Sequence, residues 1–351
     1  MNSATTREET LKRLYESYGY SHYKMSKFEE YDLYVRNKNF LISDHIITFT
    51  DVGGSLMALK PDVTLSIVKN CRESETGVRK VYYNENVYRV PKGGFYFKEI
   101  MQAGLECFGE IDSYAVSEVL MLAARSLEAM GKEYVIDVSH MGIISALANR
   151  LSLTADGRKK LISCIGEKNI HGISEICTAE GADLQGSEMI KSLVSFGGGC
   201  EELIDLLGEG EWAKDARELV DTVSALKAMG YCVNIDFSVT DDTNYYSGIV
   251  FKGFIKGIPT SVLTGGRYDN LMKKMGKTSG AIGFAVYLDL LGELDESGDG
   301  YDADVLAVYS DLTDMATLLK TTDSLSREGK RVLAVKKIDE KLKYKELIDL
   351  R

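Results

Sequence analysis

The sequence predicts an α+β protein: an antiparallel sheet built from hairpins, a helical insertion, and a small C-terminal α/β unit. Three observations support this prediction. A strand-like run at 45–51 is followed by a Gly-Gly turn and an apolar run at 56–60, which is a hairpin signal. Two further β-rich runs, 78–90 and 95–108, flank a second turn. The pattern from 141 to about 229 is almost wholly helical.

The order of the remaining elements makes the helical stretch an insertion within the sheet. Helices are predicted for 6–18, 61–72, 114–130, 269–275 and 287–294, and strands for 134–139, 232–238, 245–255, 260–263 and 281–286. Strands therefore precede and follow the helical stretch. A sheet assembled from hairpins does not suit a doubly wound parallel fold, in which strands alternate with helices.

A polar stretch at 293–300 predicts a linker to the C-terminal tail. The tail is interpreted as a βαβα unit: a strand at 304–309, a helix to about Arg327, a strand at 331–335 and a final helix, with the lysines between 336 and 345 on that helix's solvated face. The expected domains are a core at 1–295, with the insertion at about 141–230, and a tail at 301–351.

Composition narrows the function classes. The chain has 351 residues, 44% of them hydrophobic, and a net charge of −11, so strong binding to tRNA or duplex nucleic acid is disfavoured. The six cysteines form no CxxC or Cys/His pattern, and no metal or cofactor is expected. The N-terminus has no apolar signal region and no run approaches a membrane span, so we expect a cytoplasmic protein.

Polar residues interrupt the strand predicted at 95–108. Gln102 and Glu106 lie four residues apart with Gly104 between them, so all three face the same side of a strand. An unpaired buried carboxylate is costly, and this face is therefore interpreted as the lining of a polar cavity that Gly104 leaves room to enter. The alternative is a solvent-facing strand with ordinary alternation.

Other chemical signals are weak. Gly276-Lys277-Thr278 lacks the first glycine of a phosphate-binding loop, and no histidine lies in a catalytic pattern. Tyr245 and Tyr246 are predicted to lie on a strand, where adjacent side chains face opposite sides. Gly265-Gly266 alone is interpreted as a strand-to-helix turn.

Several spaced segments together resemble the catalytic core of histidyl-tRNA synthetases, a class II aminoacyl-tRNA synthetase fold. They follow in the family's order: Leu59–Thr64, Val87–Arg89, Gln102–Glu106, Asn244–Phe251, Gly265–Asp269 and Ala281–Ala285. The resemblance covers most of residues 6–294, and the tail resembles an incomplete anticodon-binding domain.

The resemblance implies a histidine pocket and the remains of a nucleotide site. The positions that match the histidine pocket are Asp62, Thr64, Gln102, Glu106 and Tyr246, with Tyr245 adjacent. Arg89 matches the arginine that grips ATP, and Arg267 belongs to the same remnant. Acidic and amide acceptors suit an ammonium group and an imidazole N–H.

Two departures from the family concern its catalytic arginines. The arginine of the family's Arg-Gly-Leu-Asp-Tyr-Tyr motif is replaced by Asp241, and a second falls on Leu290. Losing one preorganised donor at a developing anion costs about 3–4 kcal/mol. A carboxylate about 4 Å from a phosphate adds repulsion of about 4 kcal/mol at an effective dielectric near 20. We therefore expect no functioning ligase.

A synthetase-like core with a reduced tail and no catalytic arginines resembles the paralogous regulatory subunits of ATP phosphoribosyltransferase. That resemblance implies a role in the first step of histidine biosynthesis, a dimer within a hetero-oligomer, a short-form catalytic subunit as partner, and histidine as effector. Two alternatives stay open. One is a divergent histidyl-tRNA synthetase or another histidine-activating ligase, and the other is a synthetase-like amino-acid sensor for a different partner.

Overall fold

An eight-stranded sheet, mostly antiparallel, forms the centre of the larger unit in the computed structural model. In spatial order its strands are β1 (Ser21–His22), β5 (Val78–Arg89), β6 (Lys98–Gly109), β11 (Gly280–Tyr287), β10 (Leu263–Arg267), β9 (Ile249–Ile255), β7 (Tyr134–His140) and β8 (Val233–Ile235). The structure describes residues 3–38, 45–70, 77–90, 94–131, 133–240, 245–297 and 301–351. The chain divides into two units, Met1–Gly292 and Glu293–Arg351.

The predicted antiparallel core is confirmed. The long strands β5 and β6 pair over their whole length, and β6, β11, β10, β9 and β7 continue the antiparallel order. Only the edge pairs β1–β5 and β7–β8 are parallel. Strands β6 and β11, in the interior of the sheet, are buried almost throughout, which places any polar side chain on them in a low-dielectric environment.

Helices surround this sheet. In chain order they are α1 (Ser3–Ser17), α2 (Tyr31–Arg36), α3 (Val63–Asn70), α4 (Ser113–Met130), α5 (Met141–Arg150), α6 (Ala155–Gly166), α7 (Ile170–Ala179), α8 (Leu184–Val194), α9 (Cys200–Leu207), α10 (Ala213–Ala228) and α11 (Asp269–Lys274). The insertion is helical from α5 to α10, as the sequence predicts. Among the described helices none has the length and apolarity needed to cross a membrane.

The predicted hairpin is also confirmed, and it belongs to a separate small sheet. Strands β2 (Phe28–Glu30), β4 (Leu56–Leu59) and β3 (Thr48–Thr50) pair antiparallel in that order. Gly54 in the turn has φ +85°, a left-handed conformation that favours glycine. After β4 the chain passes through Lys60, Pro61 and Asp62 into α3, whose buried residues pack with residues of β5.

Three predicted elements near the site are wrong in place or type. The strand predicted at 260–263 is β10 at Leu263–Arg267, so Gly265-Gly266 lies inside a strand and not in a turn. The strand predicted from 245 begins only at Ile249. The helix predicted at 287–294 is a 3-10 helix at Leu288–Ser297. In the first case, pairing with β9 and β11 on both sides outweighs the low strand propensity of two glycines.

The C-terminal unit differs from the predicted βαβα order. Its strands β12 (Ala303–Val308), β13 (Val332–Val335) and β14 (Tyr344–Asp349) form a parallel sheet with β12 in the middle and helix α12 at Met315–Arg327. The predicted final helix is therefore wrong, because its residues pair as strand β14. Lys345, predicted on a solvated helix face, pairs with Asp304 at 2.8 Å.

Candidate functional site

A polar row crosses the buried middle of the large sheet. Gln102 and Glu106 are 5% and 2% exposed, which excludes the solvent-facing alternative and confirms that this face of β6 is buried. Glu85 and Tyr83 on β5 lie directly opposite Gln102 and Gly104, and directly opposed residues of an antiparallel pair share a face. We call this side of the sheet the site face.

Glycines make room for the polar side chains on the site face. A Cβ at Gly104 would lie 2.5 Å from the Tyr83 hydroxyl and 2.2 Å from the carbonyl oxygen of Phe284. A Cβ at Gly283 on β11 would lie 1.8 Å from Oε2 of Glu106. The space that the sequence reserves at Gly104 is thus used by the protein's own Tyr83, and Gly283 fixes where the Glu106 carboxyl can lie.

Two hydroxyl groups bond to the Glu106 carboxyl. Thr64, in the first turn of α3, donates to Oε1 at 2.9 Å, and Tyr268 donates to Oε2 at 2.5 Å. Burial raises the pKa of Glu106 to about 8, although both hydroxyl bonds act to lower it and the nearby Asp62 raises it further. Among the described residues, no lysine, arginine or histidine forms an ion pair with this carboxyl.

Three tyrosines form a wall beside Glu106. The rings of Tyr245 and Tyr246 meet edge-to-face at 4.6 Å, and Tyr245 also contacts Tyr268 at 5.8 Å between ring centres. A Cβ at Gly266 would lie 2.6 Å from the Tyr246 ring. The two adjacent tyrosines precede β9 and do not lie on a strand, so the prediction that they face opposite sides is wrong. Both belong to one half-buried wall.

Asp62 and Arg89 lie next to this cluster. Asp62 accepts a hydrogen bond from the amide of Leu65 at 2.8 Å and so caps the start of α3. Burial raises the pKa of Asp62, and the positive charge of Arg89 opposes that rise. The buried Arg89 guanidinium donates to the carbonyl oxygen of Pro61 at 3.5 Å. Asp62 therefore has a helix-capping bond of its own beside Thr64.

A second carboxyl on the site face is half-buried and has a different partner. Glu85, opposite Gln102, accepts from Nζ of Lys60 at 2.9 Å, and the Lys60 side chain is fully buried. Burial lowers the pKa of Lys60, and the Glu85 carboxylate opposes that change. Glu85 and Lys60 thus form an internal ion pair beside Gln102, while the described partners of the Glu106 carboxyl are two hydroxyl groups.

Leu290 and Asp241 are the positions that the sequence analysis matches to the family's catalytic arginines, and the first of them lies among the described residues. Leu290 is half-buried in the 3-10 helix and brings no charge. Its neighbour Asp289 has a pKa raised by desolvation, which the positive charges of Lys98 and Arg89 oppose. Asp241 lies outside the described residues.

Arg267, the second candidate for a nucleotide-site remnant, is not brought to the cluster. Its neighbour Gly266 lies on the site face opposite Gly283, so the Arg267 side chain projects from the other face. There its Nε donates to Asp269 at 3.0 Å and its Nη1 lies 3.8 Å from Glu218 of α10. These contacts attach the last helix of the insertion to the segment that carries Tyr268.

The structure adds two residues that sequence reasoning did not select. Tyr268 and Tyr83 are both buried and both reach the polar row, Tyr268 by its bond to Glu106 and Tyr83 by its approach to Gly104. Tyr268 lies inside Gly265–Asp269, one of the segments that resemble the family. Tyr83 is two residues from Glu85 on β5, so both lie on the site face. The missing information was the pairing register, which the sequence of one strand does not contain.

Several known proteins are similar to this chain in sequence. The Histidyl-tRNA synthetase family model matches residues 1–291. An ATP phosphoribosyltransferase regulatory subunit from Clostridium kluyveri is 29% identical over 86% of this chain and 82% of its own length. A histidine–tRNA ligase from Methanococcus vannielii is 28% identical over 80% of this chain and 70% of its own length.

Solved structures agree in fold. An ATP phosphoribosyltransferase regulatory subunit/histidyl-tRNA synthetase from Bacillus halodurans superimposes with a TM-score of 0.80 at 23% identity, over 99% of this chain and 93% of that one. A chain of the ATP phosphoribosyl transferase (HisG:HisZ) complex from Thermotoga maritima gives 0.65 at 18% identity, over 80% of this chain and 96% of that one. The chain belongs to the histidyl-tRNA synthetase family and has its class II α+β fold.

Proposed function

We propose that this member of the histidyl-tRNA synthetase family is the regulatory subunit of ATP phosphoribosyltransferase. The observation that carries the proposal is the likeness to the C. kluyveri regulatory subunit, which spans 86% of this chain. The role is the one that the sequence predicts: the subunit is needed for the first step of histidine biosynthesis and for its feedback control by histidine.

The proposed role is non-catalytic. Leu290 stands where the family has an arginine, and a neutral side chain supplies no stabilisation to a developing phosphate charge. Asp241, the second replaced arginine, adds a negative charge to the same stretch of sequence as the tyrosine wall. The competing function is histidine ligation, and the M. vannielii ligase, at 28% identity, is the reason to test it.

We assign the effector site to the cluster around Glu106. Its donors and acceptors suit a small cationic amino acid: a buried carboxyl with hydroxyl partners, the amide of Gln102 on the same face, and the wall of Tyr245 and Tyr246. A flat cationic ring next to tyrosine faces gains cation–π attraction as well as the carboxylate. Histidine carries an ammonium group and a flat imidazole ring, which becomes cationic when it is protonated near pH 6.5.

The proposed partner is a short-form catalytic subunit of ATP phosphoribosyltransferase. A neighbour of this fold comes from the HisG:HisZ complex of T. maritima, which supports an assembly of the same kind here. We further propose a cytoplasmic hetero-oligomer built on a dimer of this chain, with no tRNA bound, which is consistent with the net charge of −11.

Reconstitution tests the proposal. The full chain is mixed with a short-form catalytic subunit, and phosphoribosyl transfer is measured with and without histidine. We expect transfer to depend on this chain and to be inhibited by histidine. Unchanged transfer on adding the chain would refute the regulatory role.

A second assay separates the ligase alternative. ATP–pyrophosphate exchange with histidine measures adenylate formation, and we expect none above background. Restoring one arginine by Asp241→Arg is expected to leave exchange absent, because position 290 still lacks a cation. Robust exchange by the unmodified chain would favour the ligase.

A further inference from the structure

Among the described residues, no cation pairs with the Glu106 carboxyl. Both of its oxygens accept from hydroxyl groups, those of Thr64 and Tyr268, and the side chain is 2% exposed. Hydroxyl bonds stabilise a buried carboxylate but do not neutralise it. A buried carboxyl in this position needs either a proton or a positive charge from outside.

In the part of the chain that the structure describes, the groups that face Glu106 supply no such charge. Those from α3, from β5, from the tyrosine wall and from the start of α11 are Asp62, Thr64, Tyr83, Tyr245 and Tyr268. Each of them is acidic or neutral, and across β11 the opposing residue is Gly283. The neighbourhood therefore favours a proton on Glu106.

The nearest cations of the described chain are committed elsewhere. Lys60 donates to Glu85, and Arg89 donates to the carbonyl oxygen of Pro61. Arg267 projects from the opposite face of the sheet, where it pairs with Asp269. Glu106 is thus an acceptor on the site face that an external cation can satisfy without breaking an existing ion pair.

We infer that Glu106 holds a proton while the site is empty, and that a cationic group of the effector takes the place of this proton on binding. The inference rests on the proposed histidine site. The exchange balances: the neutral carboxyl loses H⁺ to the buffer, and the carboxylate that remains accepts an N–H bond from the bound cation. The pKa of about 8 for the Glu106 carboxyl agrees with a protonated empty state at neutral pH.

This exchange makes the effector signal depend on pH. While the ligand keeps its charge, each unit of pH below the carboxyl's titration weakens binding about tenfold, because one proton competes for the same position. Acidification of the cell would therefore relieve inhibition at constant histidine concentration where the α-ammonium group is the bound cation, whereas protonation of the ligand's imidazole near pH 6.5 would offset the effect. A structural carboxylate, ionised before the ligand arrives, would give no such dependence.

Calorimetry of the full chain with L-histidine counts the protons. Titrations at pH 5.5, where the ligand is largely imidazolium, are run in buffers of different ionisation enthalpy. We expect release of about one proton per histidine bound. Binding without proton release would overturn the inference and leave the histidine site standing, whereas no binding at either pH 5.5 or pH 7.5 would overturn both.

Variants locate the released proton. Glu106→Gln is expected to lower the proton count by about one and to weaken binding at least tenfold, since the amide cannot become a carboxylate. Glu218→Gln is the matched control at a carboxyl on the other face of the sheet, where it lies 3.8 Å from Arg267, and it should keep the proton release of Glu106. If Glu106→Gln releases the same number of protons as the unmodified chain, the inference is wrong. The wild-type count alone decides the question if the glutamine variant does not fold.

Discussion

The site face carries two glutamates, a half-buried one and a buried one, that differ in their partners. Glu85 on β5 pairs with the ammonium group of Lys60, whereas Glu106 on β6 bonds to the hydroxyl groups of Thr64 and Tyr268. An internal cation makes the first carboxylate part of the fold. The Glu106 carboxyl has no cation beside it among the described residues, and its pKa is raised to about 8. These properties suit a group that meets a charged ligand.

The largest expected effect comes from breaking the internal pair. Lys60→Met leaves the half-buried Glu85 carboxylate without the cation of its fully buried partner, and we expect a loss of about 3–5 kcal/mol in the free energy of unfolding. Urea denaturation at pH 7 measures it. Lys256→Met, which breaks the exposed pair with Glu133, is the control and should cost about 1 kcal/mol or less. Equal losses would show that burial of the pair does not matter.

Crowding Glu106 should have the next largest effect. In Gly283→Ala the new methyl group would lie 1.8 Å from Oε2 of Glu106 and 2.4 Å from the backbone oxygen of Leu105, so the carboxyl must move. We expect a loss of about 1–3 kcal/mol and of histidine binding. Gly197→Ala, with nothing within 4 Å of the added atom, is the control. Histidine affinity unchanged in Gly283→Ala would separate Glu106 from the effector site.

The pH profile of stability sharpens the contrast. Glu106 has a folded pKa of about 8, above the ordinary value of 4.5, so its contribution is fully present below pH 4.5 and is lost as pH rises towards 8. Glu106→Gln should remove this loss. Between pH 4.5 and pH 8, the free energy of unfolding of the variant should rise relative to that of the wild type by about 1.4 kcal/mol per pH unit. Parallel profiles from urea denaturation would mean that Glu106 is already ionised at pH 5.

The smallest effect concerns one hydroxyl group. Tyr268→Phe removes a donor to the Glu106 carboxylate, and we expect a cost of about 1 kcal/mol above pH 8 and a higher Glu106 pKa. Tyr134→Phe removes an exposed bond to Glu128 and is the control. Denaturation at pH 6 and 9 tests the pair. A cost that is the same at both pH values would show that Tyr268 acts by packing alone.

Alternation along one strand was enough to find the polar face. Gln102 and Glu106 are four residues apart in an apolar run, and this spacing fixes a shared side whatever the strand's partners are. The family resemblance added Thr64, which the structure brings to Glu106 from another element. Both predictions depend on local periodicity or on matching motifs.

Contacts between strands could not be predicted in the same way. Tyr268 and Gly283 reach Glu106 only because β10, β11 and β6 pair in one register, and a single sequence does not state that register. The prediction of a final helix in place of strand β14 is wrong for a similar reason. Its charged residues suit a solvated helix, and the parallel pairing with β12 determines its conformation.

The protonation state of Glu106 is the most direct test of the account. Carbon-13 labelling of glutamate side-chain carboxyl groups, with Glu106→Gln used to assign the signal, allows an NMR titration of the full chain with and without L-histidine. The account predicts a midpoint near pH 8 without histidine and a carboxylate signal at pH 7 when histidine is saturating. A carboxylate signal at pH 6 in the absence of histidine would contradict it.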